Sequence, residues 1–152
     1  MTTIEIVELL PSSAVVRLTR DQSSLMQGLL YVICTYLKYA DFSQTFGCSH
    51  EEAVELLLEM KAINERLDHD PIDEQRKTLR RVGLFGTADS HAVVELLVDE
   101  MNLLIAAADD TLAKLVPLRD VHTLTGFDPY EVQEFRQNLS GVEAAVVRSS
   151  SS

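Results

Sequence analysis

The chain has 152 residues, 46% of them hydrophobic and 24% charged. This is enough to bury a core without disulfide or metal staples, and too apolar for disorder over most of the length. Its 24 acidic residues outweigh 13 basic ones, for a formal net charge of -11. That field repels nucleic acid and anionic membrane surfaces and favours basic partners. The first ten residues, MTTIEIVELL, lack a basic segment and carry Glu5 and Glu8, so they do not read as a signal peptide. No apolar run reaches the ~20 residues that span a bilayer. Two cysteines, Cys34 and Cys48, are too few for a disulfide framework and fit a reducing, cytoplasmic setting.

In chain order, Ile4 to Leu10, a Pro11-Ser12-Ser13 turn and Ala14 to Leu18 predict a β-hairpin. Thr19 and Gln22 have capping-box spacing, so a helix is expected to follow. Leu25, Leu29, Ile33 and Leu37 continue it as an apolar stripe. A short helix from Asp41 to Phe46 leads to Gly47, where Ser49 and Glu52 form a second capping box. The next helix is expected to run to about Asn64 through Ala53, Leu56, Leu57 and Met60.

The pattern then returns. Ala92-Val93-Val94-Glu95-Leu96 stands 78 residues after Ala14-Val15-Val16-Arg17-Leu18, and Leu103 and Leu104 stand 78 after Leu25 and Met26. After a one-residue insertion, Asp120, Gly126 and Glu131 match Asp41, Gly47 and Glu52. A second hairpin is expected from Arg81 to Phe85 and His91 to Leu97. A long helix capped by Asp99 and a short helix from Pro117 to Leu124 should follow. The last helix has Asp128 as cap, Pro129 at its first position and Glu131 completing the box.

The expected fold is therefore α+β and helix-rich, with two tandem copies of a hairpin–long helix–short helix–turn–helix unit related by a pseudo-twofold axis. Residues 1–67 form the first copy, 68–80 a connector, 81–147 the second copy and 148–152 a disordered tail, all within one compact domain. Four strands would make a small antiparallel sheet with helices on one face. Ala14, Val16, Leu18, Ala92, Val94 and Leu96 should face the helices. The opposite face mixes Arg17 and Glu95 with Val15, Val93 and Leu97, which suggests cover by a second copy, hence a homodimer.

No motif here carries catalysis. There is no phosphate loop and no nucleophile elbow. Asp68-His69-Asp70 are adjacent and lack the spacing of a metal site, and no metal or other cofactor is expected. His122 with Asp109 or Asp110 could do acid–base work only if folding brought them together. Each helix–glycine–helix unit has the spacing of a helix-turn-helix, but the first carries Glu51, Glu52, Glu55 and Glu59 on the helix that would meet phosphate. The basic cluster Arg76, Lys77, Arg80 and Arg81 reads as a solvated face of the connector.

The reading that follows is a non-enzymatic, acidic protein-binding protein recognising a more basic protein, such as an immunity or inhibitor protein that neutralises a toxin. Glu51, Glu52, Glu55 and Glu59, with Asp109 and Asp110, are the candidate partner-binding residues. A helix-turn-helix transcriptional regulator or accessory factor is the first alternative, and an enzyme of unfamiliar type the second.

Overall fold

A computed structural model describes residues 3–69, 91–115 and 119–151. The connector from 70, the first strand of the expected second hairpin and residues 116–118 lie outside the described residues, as do Arg76, Lys77, Arg80 and Arg81. The rest is a helix-rich α+β fold with a small antiparallel sheet.

The first hairpin forms where the sequence places it, as β1 (Glu5–Leu10) and β2 (Ser13–Leu18) around the Pro11-Ser12 turn. A bulge between Ile6 and Glu8 sets Val7 outside the ladder. β3 (Ala92–Leu97) pairs antiparallel with the other edge of β2, giving the order β1-β2-β3. Ala14, Val16, Leu18, Ala92, Val94 and Leu96 are all fully buried in the core, as their alternation predicts. On the opposite face Val93 is buried, Val15 half-buried and Leu97 exposed.

The β2–β3 register has a particular form. Val16 pairs with Val94, Ala14 with Leu96 and Leu18 with Ala92. Val16 thus meets the residue 78 positions further on, and the flanking pairs exchange partners about it.

Thr19 ends β2 in extended backbone and starts α1 (Arg20–Tyr31). Its hydroxyl accepts from the Gln22 N–H at 3.1 Å, and the Gln22 side chain accepts from the Thr19 N–H at 2.9 Å. The helix does not continue regularly to Leu37. Val32–Tyr36 forms a π turn, closed by the Leu37 N–H on the Val32 carbonyl at 2.8 Å. Val32, Ile33 and Cys34 are all buried, and a regular α-helix would splay three successive side chains over more than half its circumference. The wider turn directs them together into the core.

α2 (Phe42–Phe46) is capped by Asp41 and stopped by Gly47 at φ 76°, a left-handed conformation that favours glycine. α3 (His50–His69) opens on the reciprocal Ser49–Glu52 box, both bonds 3.1 Å, and runs past the expected end at Asn64. Asn64 is instead a buried polar junction. It accepts from the Ser23 hydroxyl at 2.6 Å and donates to the Ser23 carbonyl and the Gln27 side chain.

α4 (Val98–Lys114) corrects the expected cap. β3 passes into α4 with no intervening loop, so Leu97 takes the cap position, and Glu100 accepts from its N–H at 2.9 Å. Asp99 lies in the first turn, where its charge complements the helix dipole. α5 (Arg119–Thr125) ends at Gly126, φ 83°, and α6 (Pro129–Ser151) begins with Glu131 accepting from the Asp128 N–H at 3.1 Å. α6 continues through Ser151, where the sequence suggests a disordered tail from 148. Ser150 bonds the carbonyls of Val146 and Pro11, tying this end to the hairpin turn.

α1 packs on α3, and α4 packs on α6. α3 buries Ala53, Leu56, Met60, Ile63 and Leu67, and α6 buries Val132, Phe135, Leu139, Val142 and Val146, each 79 positions later. The short helices cross over: α5 packs on α1, and α2 packs on α4. Among the described residues no helix is long and apolar enough to cross a membrane.

Candidate functional site: an acidic cleft

The acidic stripe of α3 and the start of α4 face each other across a cleft of about 260 Å³. Glu52, Glu55 and Glu59 are spaced three and four residues apart, which places them on one side of α3. The direct passage of β3 into α4 brings Asp99 and Glu100 to the opposite wall. Leu56, Leu97 and Leu103 contribute apolar surface between the walls, and Cys48 lies beside Glu52 and Asp99. Five carboxylates thus line one cleft with no cationic side chain among its described lining residues.

Two of the five have structural duties, since Glu52 and Glu100 accept from backbone N–H groups at their helix starts. Glu55 and Asp99 have no hydrogen-bond or ion-pair partner among the described residues. The concentrated negative charge is felt at Cys48. Burial first, then the carboxylates of Glu52 and Asp99, raises its thiol pKa. Cys34, behind it, is pushed up to about 11 by burial and by Cys48. Both cysteines are unbridged, and both are held as thiols at neutral pH.

The cleft unites three of the sequence-derived candidates and separates the others. Glu51, one residue before the stripe, is exposed and does not line it. Asp109 and Asp110 face elsewhere on α4. Asp109 accepts both bonds of the Arg136 guanidinium, at 3.1 and 3.3 Å. Asp110 accepts from the Tyr39 hydroxyl at 2.9 Å and pairs with Lys114 at 3.1 Å. His122 is exposed on α5, the helix that packs on α1. Asp99 and Glu100 are the site residues that sequence reasoning missed. Their acidity was legible, but their proximity to α3 depends on tertiary packing.

Tyr39, Phe42 and Phe46 form an aromatic cluster in which Tyr39 stands edge-on to both phenylalanines, with Lys114 over the Tyr39 ring at 4.4 Å. The His50 ring nitrogen bonds the Cys34 carbonyl, inside the π turn, at 2.8 Å. Among the described residues no group of three or more His, Cys, Asp or Glu is arranged to hold a metal ion. His69 ends α3, and Asp70 lies outside the described residues. Comparison with protein-family models, curated proteins and solved structures finds no match to this chain.

Proposed function

We propose that this chain is a non-enzymatic protein-binding protein, and that the α3–α4 cleft receives a Lys or Arg side chain, or a short basic segment, of a more basic protein partner. The supporting observation is the convergence of Glu52, Glu55, Glu59, Asp99 and Glu100 on one cleft of a chain whose net charge is -11. The apolar surface of Leu56, Leu97 and Leu103 suits the aliphatic stem of a long cationic side chain, whose head would meet the carboxylates. An immunity or inhibitor protein that neutralises a basic toxin or nuclease is the concrete form of this reading. Electrostatic steering speeds such encounters. The same acids would repel phosphate, which weighs against use of α2–Gly47–α3 as a DNA reader.

The proposed architecture behind this function is two tandem copies about a pseudo-twofold axis that passes between Val16 and Val94. The exchanged β2–β3 register, the matching buried positions of α3 and α6, and the paired left-handed glycines Gly47 and Gly126 support it. A homodimer, formed through the outer sheet face around Val15 and Leu97, belongs to the same reading. Light scattering at high micromolar concentration tests it, and a mass near 17.0 kDa would refute it.

Partner capture from the source lysate, followed by titration of the retained protein, tests the cleft. Glu52→Gln keeps an acceptor for the Ser49 N–H, and Glu55→Lys introduces a cation at the centre. The double variant should bind about tenfold or more weakly, with a slower association rate. Unchanged affinity with a folded variant would remove the cleft from the function.

A further inference from the structure

The opposite side of α3 carries a different chemistry. Between α1, α3 and α5 runs an open groove of about 400 Å³. Gly28, Leu57 and Leu124 line it, and Tyr31 and Leu58 border it with 45% and 57% of their surfaces exposed. Lys61 also lines the groove. It is exposed and has no hydrogen-bond or ion-pair partner among the described residues, in a chain where acids outnumber bases almost two to one.

The fold does not require an apolar surface at this place. Asp109 stands 78 positions after Tyr31, and Arg136 and Gln137 stand 79 after Leu57 and Leu58. On the α4–α6 pair Asp109 and Arg136 form an ion pair at these positions, and Gln137 is exposed beside it. The same helix packing is thus compatible with a polar, ion-paired surface, and α1–α3 instead leaves apolar side chains and a cation without a partner among the described residues open to a ligand. Exposed apolar surface with a polar rim is the usual mark of an interaction site.

We propose that this groove docks an amphipathic helix of a partner protein. Apolar residues one turn apart on that helix would seat between Tyr31 and Leu58, and a carboxylate on its flank would pair with Lys61. Helix-in-groove docking uses this spacing of anchors. Charge complementarity selects the acidic flank: Lys61 is the one charged side chain among the groove's described lining residues, and Glu52 and Glu59 lie roughly half a helical turn from it and Glu55 about a third, in the cleft. α3 would then serve two ligands of opposite charge preference, so this inference stands apart from the proposed basic partner.

The test is selection of the full chain against a display library of helical peptides about four turns long, with affinities of enriched peptides measured by fluorescence anisotropy. Enriched peptides should carry apolar residues three and four apart beside Asp or Glu. Leu58→Glu should weaken them about tenfold or more, and exposure of Leu58 allows that variant to fold. Lys61→Glu leaves the apolar surface intact and should shift preference from acid-flanked to Lys- or Arg-flanked peptides. No enrichment, or peptides whose affinity neither variant changes, would overturn the proposal. So would self-association that disappears in Leu58→Glu, which would assign the groove to a second copy. Loss of basic-partner binding on Glu55→Lys, with groove peptides unaffected, would separate the two sites.

Discussion

Asn64 holds α1 to α3 with three hydrogen bonds inside the protein, two of them 2.6 Å long. Truncating one member of a buried network leaves the others unsatisfied, so Asn64→Ala should cost about 2 kcal/mol, read by denaturant melts. Thr111 is the opposite case. Its hydroxyl is buried in α4 with no hydrogen-bond partner among the described residues, and Ile33 occupies the position 78 residues earlier. Thr111→Val should therefore stabilise the fold by about 1 kcal/mol, a rise of roughly 2–4 °C in Tm. Tyr39 adds a pH dependence. Burial, then the hydrogen bond to Asp110 and its charge, hold the phenol above its usual range. A raised pKa means the folded state keeps its proton more tightly, so this stability is complete below the unfolded value of about 10 and declines as pH rises beyond it. Alkaline titration followed by tyrosinate absorbance should show Tyr39 ionising late, together with unfolding. None of these three roles was legible in the sequence, because each depends on what a neighbouring element brings near.

At the scale of elements, the caps were the most legible features. Thr19 with Gln22, Ser49 with Glu52 and Asp128 with Glu131 lie where a hydroxyl, amide or carboxylate precedes an apolar run at fixed spacing. The start of α4 escaped because Leu97 offers no side-chain acceptor, although Glu100 three residues on was visible. The π turn escaped because a stripe at helical spacing still holds at Ile33, and the spacing cannot show that Val32 and Cys34 turn inward as well. Gly28 of α1 lies close against the end of α5. A Cβ there would stand 3.0 Å from the Thr125 carbonyl oxygen and 3.1 Å from its Cα. Backbone cannot rotate aside, so Gly28→Ala should push the helices apart and destabilise by about 1–3 kcal/mol, despite Ala's better helix propensity. The acid stripe of α3 was readable by its spacing, whereas the opposing wall of the cleft needed the turn of β3 into α4.

For the whole molecule, the -11 charge implied a preference in partners but no location for it. The structure gathers five of the acids into one cleft and engages Asp109 and Asp110 in internal pairs. Binding at the cleft should accordingly weaken as salt rises, while docking in the groove, whose contacts are mainly apolar, should change little. Measuring both affinities across a salt series checks this. The α+β class was legible from the hairpin and the apolar stripes, and the buried positions of α3 and α6 stand at the same 79-residue offset as Asp41 and Asp120 in the sequence.

The crossing of the short helices has a consequence for how the protein comes apart. α5 rests on α1 and α2 on α4, so the stretch before the connector and the stretch after it each complete the other's interior. Neither can melt and leave its counterpart intact, because the survivor would expose the surface its borrowed helix covered. Heat should therefore disassemble the chain in one cooperative step, with calorimetric and van't Hoff enthalpies in agreement. Hydrogen exchange should likewise give the amides of α1 and α4 one shared opening free energy, making the interleaved chain a single unit of unfolding.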